Sequence, residues 1–112
     1  MNLIKQPNFE IRFLPEADKF IRSLEKDERK HIYLKLSVAQ LENDPRKFTK
    51  VRGNIWEFRF QYKTKTYRLY SFWCIEEKSL VIATHGIIKK QQKAPKREID
   101  KAENIRKEYY KT

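Results

Sequence analysis

The stretch WEFRFQY, residues 56–62, sets Trp56, Phe58, Phe60 and Tyr62 at every second position, with Glu57, Arg59 and Gln61 between them. Side chains of an extended strand alternate between two faces, so this period of two predicts a strand with one aromatic and one polar face. Further along, Tyr67–Cys74 and Leu80–His85 read as two more strands. The connectors Lys63–Thr66 and Glu76–Lys78 are of hairpin length, which predicts an antiparallel meander.

Upstream of Trp56 lies a basic loop, PRKFTKVRGN (45–54), and before it the period changes. Ala17, Phe20, Ile21 and Leu24 follow Pro15 at the spacing of an amphipathic helix, with Glu16 and Asp18 at its positive end. A second helix runs from Asp27 and Glu28 to about Asn43. Its Ile32, Leu36 and Ala39, with Leu34, Val38 and Leu41, predict a wide apolar stripe, and Asn43-Asp44-Pro45 ends it. Phe9–Leu14 alternates as a first strand, and Pro95 can open a last helix carrying Ile99, Ala102, Ile105 and Tyr109. The expected class is α+β in the order β-α-α-β-β-β-α. An antiparallel sheet would carry a helical hairpin on one face and a C-terminal helix, in a single domain over residues 1–112.

Charge points to the partner. Twenty-six Lys and Arg against fifteen Asp and Glu leave +11 on 112 residues. Such a surplus opposes compaction unless a polyanion receives it, nucleic acid before membrane; a merely basic soluble protein is the plainer alternative. Between Gly86 and Arg97, Lys89, Lys90, Lys93, Lys96 and Arg97 occur with no acidic residue. Cys74 is the single cysteine, with no metal-ligand spacing around it, and reads as an inert strand thiol. The segment MNLIKQPNFE lacks an apolar signal core and no apolar run approaches a membrane span, so the expectation is a cytoplasmic protein without a membrane partner. No metal or cofactor motif stands out.

The runs VRGNIWEFRF (51–60), TYRLYSF (66–72) and THGIIKKQQKAPKREIDKA (84–102), in this element order, resemble the RelE/ParE toxin superfamily, most closely its HigB-type branch with phage-derived-like members. The last run is the most diagnostic: His-Gly at a strand end, a Lys pair, a polar spacer and Pro entering a helix. The resemblance implies the toxin of a type II toxin–antitoxin system, a ribosome-dependent mRNA endoribonuclease that needs no metal or other cofactor. It implies as partners the ribosome, mRNA and a cognate helix-turn-helix antitoxin of HigA-like type. The hairpin Lys63–Thr66 lacks the Gly common there, and Ile87-Ile88 stands where an aromatic is common. Two other readings fit the same features: a ParE-like DNA gyrase inhibitor, and a non-catalytic basic nucleic-acid-binding module. His85 and the pair Lys89-Lys90 argue against the gyrase inhibitor, which generally lacks them.

Metal-free RNA cleavage requires a base for the 2′-OH, cations for the crowded phosphate and a proton for the leaving 5′ oxygen. Arg59 shares the polar face with Glu57 and Gln61, and Arg68 shares its face with Tyr70 and Phe72. By resemblance Arg68 matches the strand arginine that contacts the scissile phosphate, a task suited to a two-pronged guanidinium. Alternatively, both arginines are strand-surface charges paired with Glu57 or Glu76. His85 is the candidate proton shuttle, closing the third strand at a cleft edge. Lys89 and Lys90 complete the catalytic set, one as acid or base and the other on phosphate. Lys50, Arg52, Lys93 and Lys96 are expected to track the RNA backbone. Tyr70 or Phe72 could stack on a base or belong to the core, and His31 reads as a solvated surface residue.

Overall fold

The computed structural model describes residues 6–42, 44–89 and 95–111. In chain order the elements are β1 (Glu10–Phe13), α1 (Pro15–Arg22), α2 (Lys26–Leu41), β2 (Phe48–Arg52), β3 (Ile55–Tyr62), β4 (Lys65–Trp73), β5 (Leu80–Lys89) and α3 (Lys96–Tyr110). The strands form one sheet in the order β1-β5-β4-β3-β2. The α+β class and the antiparallel run from β3 to β5 are as the sequence predicts.

Three expectations need correction. The basic loop contains strand β2, which pairs with β3 through Phe48↔Phe58 and Lys50↔Trp56. The strand carries one large apolar side chain toward each side of the sheet, Phe48 and Val51, and a bulge interrupts it between Lys50 and Arg52, so no period of two shows in the sequence. The sheet is also mixed, because β1 runs parallel to β5. Finally, the apolar stripe of α2 is narrow. Ile32, Leu36 and Ala39 are buried, whereas Leu34 is 61% exposed. The end of α2 expected at Asn43 falls on a residue outside those described; α2 stops at Leu41.

Both faces of the sheet are covered. On one, Ala17, Ile21, Leu24, Ile32, Leu36 and Ala39 of the helical hairpin pack against Phe58, Phe60, Tyr67, Leu69, Val81 and Ala83. On the other, Ile99 and Ala102 of α3 pack against Ile55, Tyr70, Phe72, Leu80 and Ile82. Each large side chain so buried contributes about 1.5–3 kcal/mol. Gly86 belongs to the first interface: a Cβ there would lie 2.3 Å from the Phe20 ring, so glycine is what lets α1 lie down on β5. At the start of α2, Glu25 and Glu28 form a reciprocal capping box, and Glu28 also accepts a hydrogen bond from the Tyr67 hydroxyl on β4.

Polar contacts fix α3. Arg52 pairs with Asp100, Lys101 with Glu16 at 2.8 Å, and His85 with Glu98 at 3.1 Å. Arg12 donates to the Tyr109 hydroxyl at 2.5 Å, and the Ile75 amide donates to that of Tyr110 at 2.9 Å.

Candidate active site

Strand register assembles the site. Residues directly opposite in an antiparallel pair share a face, and on the α3 side of the sheet three rows run across β3, β4 and β5. They are Glu57, Tyr70 and His85; then Arg59, Arg68 and Ile87; then Gln61, Thr66 and Lys89. The apolar packing of α3 covers the sheet up to Tyr70 and Ile87. Past it, Arg59, Arg68 and Lys89 come together from three strands.

Their environments differ. Arg59 is exposed and Lys89 only 7% so. Arg68 and Glu57 each have side chains 4% exposed, and Arg68 donates from Nη1 to both carboxylate oxygens of Glu57 at 2.8 Å. Burial lowers the Lys89 ammonium to a pKa of about 8; the Arg68 and Arg59 charges push the same way and Glu57 offsets them in part. A substantial fraction of Lys89 is thus neutral amine near pH 8, whereas the arginines remain cationic. Chemically the cluster offers two guanidinium groups for a phosphate and one amine that can exchange a proton. Among the described residues no three of His, Cys, Asp or Glu stand close enough to hold a metal ion.

His85 is placed differently from its expectation. β5 continues through Gly86 to Lys89, so His85 sits in mid-strand and is 3% exposed. Its Nδ1 lies 3.0 Å from Thr84 Oγ1 and its Nε2 3.1 Å from Glu98 Oε1. Nε2 faces the Glu98 carboxylate and Nδ1 the Thr84 hydroxyl, which itself donates to the Tyr70 carbonyl at 3.2 Å. Burial and the nearby Lys101 lower its pKa, so the ring is neutral at pH 7, stacked 5.1 Å from Tyr70. Both nitrogens are engaged, and the residue ties α3 to the sheet.

The remaining candidates separate. Lys50 pairs with Trp56 and therefore lies on the face opposite Arg59 and Arg68. Arg52 is committed to Asp100 on α3, and Lys96, in the first turn of α3, acts on the same carboxylate. Lys90 and Lys93 lie outside the described residues. Tyr70 and Phe72 are fully buried and provide core, not a stacking platform. His31 is half-buried, 3.1 Å from the Gln61 carbonyl and against the Tyr62 ring. Glu57 joins the site without having been a catalytic candidate. Its place beside Arg59 on the polar face is legible in the sequence, but its contact with Arg68 depends on the β3–β4 register.

The fold is shared with solved structures of RelE-type toxins. The free-state structure of an E. coli RelE toxin carrying two arginine-to-alanine substitutions matches with a TM-score of 0.58 at 18% identity, over 95% of this chain and 100% of that one. The RelBE2 toxin–antitoxin complex of Mycobacterium tuberculosis matches with 0.55 at 17% identity, over 75% of this chain and 100% of the other. The intact E. coli RelBE toxin–antitoxin complex matches with 0.53 at 20% identity, over 76% and 99%. These likenesses place the chain in the RelE-type structural class. Residues 19–107 match the family described as Phage derived protein Gp49-like (DUF891), and the chain belongs to that family. No curated protein matches the sequence. Among the described residues no helix is long and apolar enough to cross a membrane.

Proposed function

We propose that this protein is the toxin of a toxin–antitoxin system and cleaves mRNA on the ribosome. The observation that carries the reading is the convergence of Arg59, Arg68 and the buried, readily deprotonated Lys89 on one sheet face. The RelE-type fold supports it, as does the +11 charge.

In this reading Arg68 and Arg59 hold the non-bridging oxygens of the scissile phosphate, where charge builds as the fifth bond to phosphorus forms. The neutral Lys89 amine takes the 2′-OH proton, the 2′ oxygen attacks phosphorus, and the bond to the 5′ oxygen breaks. The leaving oxygen needs a proton in return, for which Lys90 is the candidate on sequence grounds. His85 acts indirectly, by holding α3. The partners are the ribosome with its mRNA and a cognate antitoxin, of the helix-turn-helix HigA-like type on the HigB-like reading. The site of action is the cytoplasm.

Purified protein added to translating ribosomes should create new 5′ ends within reading frames, and Arg68→Ala or Lys89→Met should remove them. Intact transcripts with induced DNA damage in cells would instead support gyrase inhibition. Salt-sensitive binding without cuts would support a non-catalytic binding module.

A further inference from the structure

The geometry points to Glu57 as a positioning residue for the cleavage site: its buried carboxylate sets the orientation of Arg68 and the charge balance in which Lys89 works. The inference rests on the cleavage reading above and assigns a role that the three cations alone do not contain.

Glu57 is an acidic side chain buried in the interior of a sheet, an expensive placement unless a cation meets it. Arg68 meets it, with both carboxylate oxygens 2.8 Å from the same Nη1. That contact turns the guanidinium back along the face toward the Glu57–Tyr70 row and restrains a side chain that otherwise has four rotatable bonds. A phosphate ligand gains from such restraint because the rotamer entropy is already lost. Glu57 also acts on a second group. The charged groups bearing on Lys89 among the described residues are Arg68 on β4 and Arg59 and Glu57 on β3, and of these Glu57 favours the ammonium form. Without it the Arg68 and Arg59 charges would act on the amine with the Glu57 contribution removed.

A competing role is a mask: Glu57 could occupy Arg68 in place of phosphate and suppress activity. The two roles give opposite results. If Glu57 positions, Glu57→Gln should lower kcat for cleavage of ribosome-bound mRNA by about 100-fold with KM within about threefold. It should also move the acid limb of the pH–rate profile downward, because Lys89 loses that favourable charge. Glu57→Asp keeps the charge but withdraws it from Arg68. It should lose kcat while the acid limb stays in place, and it retains a fold-preserving carboxylate should the Gln variant fail to fold. A Glu57→Gln or Glu57→Asp protein as active as the wild type, or more active, would overturn the proposal.

NMR titration of the lysine side chains in the intact protein separates this proposal from the cleavage reading. If the wild type cuts no mRNA, the proposed function fails. The Glu57 assignment is then decided by whether the Lys89 titration moves down in Glu57→Gln and holds in Glu57→Asp; an unmoved Lys89 in Glu57→Gln would overturn it.

Discussion

Arg59 stands directly opposite Arg68 in the β3–β4 register, two like charges on one face of the sheet, and of the two it is Arg68 that Glu57 compensates. Such a pair opposes folding, and in the proposed function it serves the scissile phosphate, the pattern expected where stability is given up for function. Arg59→Ala should therefore stabilise the fold, by a few tenths to about 1 kcal/mol in urea denaturation. The same change should slow single-turnover cleavage about 10-fold or more.

Arg68 is the opposite case. Arg68→Ala leaves the Glu57 carboxylate buried without its cation and should cost about 3–5 kcal/mol, besides abolishing cleavage. Replacing both partners, Glu57→Leu with Arg68→Met, should recover most of that stability and none of the activity. Equilibrium denaturation of the two proteins, with cleavage assayed in parallel, checks both halves.

Lys89 titrates at about 8 because folding buries it near two arginines. Its folded pKa lies below the unfolded value of 10.5, so the unfolded state holds more protons between those values and stability rises with pH across that window. Lys89→Met should remove this dependence and stabilise the protein at pH 7 by at least about 1 kcal/mol. In the wild type kcat/KM should climb with pH and level off above about 8, as the amine becomes neutral, and Lys89→Met should be inactive at every pH.

His85 has a lowered pKa in the fold, so the unfolded state takes up its proton first, and this contribution to stability is lost as pH falls below the ordinary value of 6.5. His85→Asn, which keeps a polar side chain there but does not titrate, should flatten that acid loss. Cleavage should stay within about 10-fold of wild type, whereas a proton-transferring histidine would cost about 100-fold or more. Thermal midpoints from pH 5 to 8, read beside cleavage rates, distinguish the two.

Local pattern is legible in the amino-acid sequence, and long-range pairing is not. Alternation around Phe58 separates the aromatic face from the polar one, and the spacing of Ala17, Phe20, Ile21 and Leu24 marks the first helix. Strand β2 is hidden because it offers one large apolar side chain to each face, Phe48 and Val51, and a bulge after Lys50 interrupts it. The parallel β1–β5 pair is hidden because residues about seventy apart in sequence leave no mutual signal in either segment. The site is legible in the same partial way. Charge and position mark Arg59, Arg68 and Lys89, and a Glu57 pairing is among the alternatives the sequence leaves open, but that the Glu57–Arg68 pair is buried rather than on the surface is not legible there. His85 reads as a strand end because Gly86 follows it, yet that glycine marks the seat of Phe20 within a continuing strand.

Cleavage of mRNA by the Arg68–Lys89 cluster is decided by mapping 5′ ends on translating ribosomes with wild-type protein and with Arg68→Ala/Lys89→Met. New ends inside reading frames are expected with the wild type and none with the double variant. Intact transcripts with the wild type, or the same cuts from the double variant, would contradict it.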